Sequence, residues 1–318
     1  MTIWAGAFAL GVTSPALAGD SFPVRPLRFI IPFAPGGSID VIARIVGHKV
    51  NDAWGQQVVI DNRPGAGGNL SAQLAANAAP DGYTLYLCTP SFVVNPSLYG
   101  RVAYDPFKDF SPVSLLAATQ NVLLAHPAFP AKSVRTLIAM AREKPGTINY
   151  ASTGGGSSGH LTMELFKNMA HLDLVHVPYK VIGQALNDVI AGQVMIWFPS
   201  LPGALPHIRS GKIVALATGG AQRSTALPEV PTVAESGVTG YESSTWYAAL
   251  VPAGTANKIV AKLHSELTSI VKATDTQERL TAQGVDVIAS TPTQLAYHLK
   301  MESQKWAEVI RVSGARAD

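Results

Sequence analysis

The chain has 318 residues, 47% hydrophobic and 14% charged, so it has the apolar content to build one large or two smaller folded cores and is not a disordered polypeptide. A net charge of +3 with no stripe of Lys or Arg argues against nucleic acid as a partner. One cysteine, Cys88, excludes an internal disulfide and a thiolate zinc cluster, and the eight histidines lack metal-ligand spacing; neither a metal site nor a cofactor is expected.

Residues 3–17 are apolar and small, and Ala16-Leu17-Ala18 has the A-x-A form of a signal-peptidase site. A signal peptide over residues 1–18 is predicted, with export of a soluble chain that starts near Gly19. The run 27–33 is apolar apart from Arg28, as in a strand buried on both faces, and a glycine turn leads into a helix from Ser38. Strands at 58–60 and 83–88 flank a small-residue helix at 70–78. Two extended runs fill 111–126. A second unit repeats the design: a helix from Ser133 to Glu143, a strand at 148–151, a helix at 161–169, then strands at 175–178, 194–198 and 213–217 with helices at 184–191 and 202–210. In the tail, Thr255, Asp275 and Thr291 stand at helix N-cap positions, and Asp275–Glu278 and Thr291–Gln294 have capping-box spacing. A lone strand at 285–288 has to join the first unit, so the chain crosses between two lobes twice. Two α/β lobes joined in this way form a hinge with a ligand cleft between them.

The glycine-rich stretch at 149–166 admits three chemistries. Gly155–Gly159 fits G-x-S-x-G with Ser157 as a hydrolase nucleophile, and Asp173 or Asp188 with His207 follow in the required order; but five residues separate the strand from Ser157 and no H-G-G element precedes it. Gly154, Gly156 and Gly159 fit a dinucleotide fingerprint, yet the next strand ends at Tyr179-Lys180 without the ribose-binding acid. The third reading is an anion cradle of backbone N–H groups at a helix start. It has a companion in Pro35-Gly36-Gly37 ahead of the Ser38 helix, in the other lobe. The cradle is preferred, and a serine hydrolase using Ser157 is the alternative.

The run PFAPGGSIDVIARIV, then VVIDNRPGAGGNLSAQLAANAAPDGYTL, resembles the start of the Bug-type (TctC-like) substrate-binding proteins of tripartite tricarboxylate transporters. Asn95-Pro96-Ser97-Leu98-Tyr99, Val177-Pro178-Tyr179-Lys180, Gly211-Lys212, Arg223-Ser224, the run from Val230 to Gly237 and Pro252-Ala253-Gly254-Thr255 follow in that family's order. The resemblance implies an α/β, two-lobed periplasmic binding protein of type II-like architecture, with 19–122 plus 246–318 as lobe I and 123–245 as lobe II. It implies a monomeric, non-enzymatic protein of the periplasm that closes over a small carboxylate and delivers it to the integral-membrane permease subunits. Carried onto this sequence, the ligand contacts are Pro35, Gly36, Gly37 and Asp40 in one lobe and Ser152, Thr153, Gly154, Gly155, Gly156, Ser157 and Ser158 in the other. Thr89, Pro90 and Ser91 at the cleft edge, Tyr179, Lys180 and Trp246 complete the candidate site. Two departures from the family pattern are Val181 in place of a glycine and Met195 in place of an acid. They point to a ligand with one carboxylate on an apolar or aromatic body and no ammonium. Met195, Trp197 and Phe198 are read either as an apolar wall or, preferentially, as core.

Overall fold

The computed structural model describes residues 22–317; the predicted signal segment and its predicted cleavage site lie outside them. Two mixed sheets organise the chain. The first takes β1 (Leu27–Ile31), β2 (Val58–Asn62), β3 (Thr84–Cys88), β4 (Phe110–Gln120), β10 (Ser244–Pro252) and β11 (Val285–Val287), in the order β11-β4-β10-β3-β1-β2. Strands β1, β2 and β3 are mutually parallel, while β10 runs antiparallel to both β3 and β4. Helices α1 (Ser38–Trp54), α8 (Asn257–Lys272) and α9 (Thr274–Thr281) cover one face, where Ile42, Val46, Leu263 and Leu280 pack on Phe29 and Leu87. On the other face, α2 (Asn69–Ala76), α3 (Ser91–Leu98) and the start of α10 (Pro292–Ser313) meet Ile30, Tyr86 and Leu250.

The second sheet takes β5 (Val122–Ala125), β6 (Asn149–Ser152), β7 (Val175–Pro178), β8 (Ile196–Trp197) and β9 (Val214–Thr218), in the order β7-β6-β8-β5-β9. Here β6 is parallel to β7 and β8. Helices α4 (Val134–Glu143) and α5 (Ser158–Ala170) pack on one face, and α6 (Ile182–Ile190) and α7 (Leu201–Arg209) on the other.

Several local expectations shift. Helix α3 has no side-chain cap, follows Pro90 and carries Pro96 inside it, and it is apolar nearly all round, so no amphipathic period marks it. Thr291 forms the expected capping box with Gln294. Asp275 does not cap: Ala273 holds that position, and Asp275 in the first turn pairs with Lys49. Thr255 also fails to cap; its hydroxyl donates to Pro252 O at 2.7 Å, and α8 begins after Ala256.

The chain passes between sheets at Asn121 and returns just before β10, so Val122 belongs to the second sheet and Ser244 and Thr245 to the first. Hydroxyl bonds tie the two crossings. Ser158 Oγ and Thr245 Oγ1 lie 2.6 Å apart, Asn121 Nδ2 donates to Ser158 Oγ at 3.2 Å, and Thr245 Oγ1 donates to Asn121 Oδ1 at 3.2 Å. Helix α10 braces both units, since Leu295 and Leu299 pack under the first sheet while Trp306, Val309 and Ile310 join the core of the second.

Candidate functional site

Each sheet sends a glycine turn from the C-terminal end of a parallel strand into a helix. In the first unit, β1 ends at Ile31 and residues 33–36 are exposed. Gly36 has φ of +91°, a left-handed conformation that glycine adopts without strain. Asp40, 3% exposed, closes the turn from beneath. Its carboxylate accepts from Gly36 N at 3.0 Å, from Arg44 Nε at 2.9 Å and Nη2 at 3.0 Å, and from Asn62 Nδ2 at 3.0 Å. Burial raises the Asp40 pKa, but the bonds from Arg44, Gly36 and Asn62 outweigh it and hold the carboxyl below its ordinary value. Asp40 therefore positions the turn with its oxygens already engaged. Gly37 is the N-cap and supplies no capping side chain, so the amides of Ser38, Ile39 and Asp40 have no intrahelical acceptor and form the donor end of α1.

The second turn is built more elaborately. Ser152 Oγ, at the end of β6, accepts from Gly154 N at 3.0 Å and lies 2.5 Å from His176 Nε2. Gly154 (φ +102°) and Gly156 (φ +75°) allow the chain to reverse, and a side-chain carbon at Gly156 would sit 1.9 Å from Leu98 Cδ2 of α3. Gly156 N donates to His160 Nδ1 at 3.0 Å, which makes that nitrogen the unprotonated acceptor. His160 stacks on His176 at 4.2 Å, and His176 on Tyr150 at 5.1 Å. Tyr150 OH and Lys167 Nζ both donate to Glu164 Oε1 at 2.6 Å. Burial, with Glu164 beside it, pushes the Tyr150 phenol up and keeps it a donor. Ser157 caps α5 by accepting from His160 N, and the hydroxyl of Ser158 is held by Thr245. What remains at this helix start are the amides of Ser158 and Gly159, without intrahelical acceptors.

That geometry does not assemble the hydrolase alternative. The hydroxyl of Ser157 is turned to the backbone of α5, His207 lies in the last turn of α7, and Asp173 sits beside Gly146. Among the described residues no group of His, Cys, Asp or Glu is placed to hold a metal. Hollows of about 570 Å³ between α3 and the end of α10, and about 580 Å³ between α7 and α9, are lined by neither glycine turn.

The family model for the tripartite tricarboxylate transporter family receptor, TctC, matches residues 42–315. Protein BugT of Bordetella pertussis is 37% identical over 308 residues, 96% of this chain and 94% of BugT. The chain belongs to the TctC receptor family. An R. palustris protein solved with adipate is 34% identical with a TM-score of 0.86, the match covering 93% of this chain and 99% of that one. MatC from Rhodopseudomonas palustris, solved with bound malate, is 33% identical with a TM-score of 0.82, covering 91% of this chain and 100% of MatC. The two-sheet α/β architecture of a periplasmic binding protein is thereby established for this TctC receptor.

Within the receptor, the remaining predicted residues separate. Thr89 and Pro90 are buried beneath the edge, with Thr89 Oγ1 3.1 Å from Ser91 Oγ. Thr153 and Lys180 are exposed on the same edge as the second turn, because Tyr179 N bonds Ser152 O at 2.9 Å. Burial, then a hydrogen bond to Asp188, raises the Tyr179 phenol. Trp246 is not a cleft wall: it is 1% exposed, and its indole donates to Glu302 at 2.9 Å against α10. Met195 is no wall either. It packs on the core of the second sheet one residue before β8, level with the start of β6 and opposite the end that bears the turn. Sequence reasoning missed Asn62, His160, His176 and Leu98. It also missed the third turn at this edge, where Gly65, Gly67 and Gly68 all have positive φ. The glycine cluster was its visible signal; the histidines, 16 residues apart in sequence, gave none.

Proposed function

We propose that this receptor is an extracytoplasmic solute-binding protein that captures a small carboxylate between its two units and delivers it to a tripartite tricarboxylate-type permease. The observation that carries this reading is the pair of glycine turns, one per sheet, each opening a helix whose first amides lack intrahelical acceptors. An anion held by several such donors gains about 1.5–3 kcal/mol from each hydrogen bond, without requiring any chemical step. The relatives solved with adipate and malate support a carboxylate as the bound group.

An apolar or aromatic body is favoured for the ligand. Its support is no longer Met195 but the exposed Phe33 beside the first turn and the exposed Val181 and Ile182 beyond β7. Action as a monomer in the periplasm completes the reading. Among the described residues no helix is long and apolar enough to cross a membrane. Titration calorimetry with monocarboxylates, dicarboxylates and amino acids tests ligand class: tight binding of aspartate or glutamate, with none of aliphatic or aromatic acids, would sink the apolar preference. Deleting the permease genes tests delivery, because uptake of the bound acid should stop while binding by the purified receptor persists.

A further inference from the structure

Four tryptophans lie among the described residues, and three of them donate to a carboxylate. Trp54 Nε1 reaches Glu266 at 3.0 Å, and Trp246 and Trp306 both reach Glu302 at 2.9 Å. The fourth is Trp197 in β8. It is 3% exposed, and its Nε1 is buried without a hydrogen-bond partner. A buried indole N–H ordinarily finds an acceptor, because leaving it unpaired costs free energy in the folded state.

The position of this donor is informative. Trp197 is in register with Ala151 of β6, the strand that leads into the second glycine turn. A side-chain carbon placed on Gly159 would lie 3.5 Å from Trp197 Nε1, so the indole edge abuts the first turn of α5. Phe198 O, close to the same glycine, accepts from Asn121 Nδ2 at 3.3 Å. The amides of Ser158 and Gly159 are the other donors at this helix end. The unpartnered indole donor thus lies beside the first turn of α5, whose free amides carry the positive end of the helix dipole.

We propose that Trp197 is a ligand-recognition residue, and that its indole N–H takes an oxygen of the bound carboxylate, directly or through one trapped water, at the start of α5. The inference rests on the carboxylate-binding reading and deepens it. An indole N–H only donates, so this end of the site accepts a carboxylate and rejects an ammonium. Nε1 is sealed from solvent, so the start of α5 at Gly159, which abuts the indole edge, has to move when the oxygen enters.

The test compares wild type with W197F by titration calorimetry, using adipate, malate and benzoate as probes. The variant keeps the ring bulk and removes the donor. Loss of one charge-assisted hydrogen bond predicts affinity weaker by about tenfold or more, with the melting temperature of the unliganded variant unchanged or higher. Equal affinities for wild type and W197F overturn the assignment while leaving carboxylate binding intact; a wild type that binds none of the three overturns the assignment and the reading beneath it. Indole-¹⁵N-labelled wild type gives a readout that does not depend on the variant folding. One indole N–H resonance should move downfield on saturation while those of the Glu-paired tryptophans hold, and a spectrum without such a shift overturns the proposal.

Discussion

Asp40, expected among the ligand contacts, has its carboxylate engaged within the protein. Its carboxylate is filled by Gly36, Arg44 and Asn62, and so it sets the shape of the turn whose amides are offered. D40N should cost about 1.5–3 kcal/mol in urea denaturation, the scale of a hydrogen bond to a charged group. The pH dependence has a definite sign. Asp40 has a lowered pKa in the fold, so its stabilisation is complete above the ordinary aspartate value and is lost as pH falls through the lower folded value. D40N should lack that part of the acid limb; identical acid limbs in variant and wild type would contradict the role. Gly156 is constrained differently, by φ of +75° and by Leu98. G156A should lose about 1–2 kcal/mol from the left-handed backbone alone, more from the clash, and most carboxylate binding. In G156A/L98A the clash is removed, so melting and titration should show partial recovery of binding.

At the scale of elements, the helix caps divide into those that patterns reveal and those they do not. Thr291 with Gln294 makes a reciprocal box at the start of α10. T291A should cost about 1 kcal/mol, read as a drop of about 2–4 °C in melting temperature. Ser133 was equally legible, and its side chain accepts from Thr136 N at 3.2 Å. Asp275 had the same spacing but is drawn to Lys49 on α1, a partner 226 positions away that no local pattern reveals. Strands buried on both faces, such as β1, and the glycine turns after β1 and β6 stood out because apolar runs and left-handed backbone demand particular residues. The stack of Tyr150, His176 and His160 behind the second turn did not, because it is made by the parallel pairing of β6 with β7 and by α5 lying across them. Trp246 was misplaced for a related reason. Alternation assigns a strand residue to a face, but only the packing of α10 decides which face is closed.

Across the whole molecule, Asn121, Ser158 and Thr245 form a small polar hub where the chain passes between sheets, and Thr162 Oγ1 with Ser243 Oγ adds a second contact at 2.7 Å. Buried Thr162, Ser243 and Thr245 with half-buried Ser158 tie the two units together next to the second glycine turn. T245V leaves the oxygen of Asn121 without one of its donors and should destabilise the receptor by about 1–3 kcal/mol in denaturant titration. An unchanged midpoint would show that the hub does not bear on stability. The central claim is that both turns together hold a carboxylate, and a thermal-shift panel on the chain lacking residues 1–18 tests it most directly. The panel takes mono-, di- and tricarboxylates, aromatic acids and amino acids in turn. A bound acid at a hundred times its dissociation constant adds about 2.7 kcal/mol, or about 5 °C or more for a protein of this size. Such a rise is expected with one class of carboxylate and is lost in G156A; no rise with any acid would show that the turns do not hold a carboxylate.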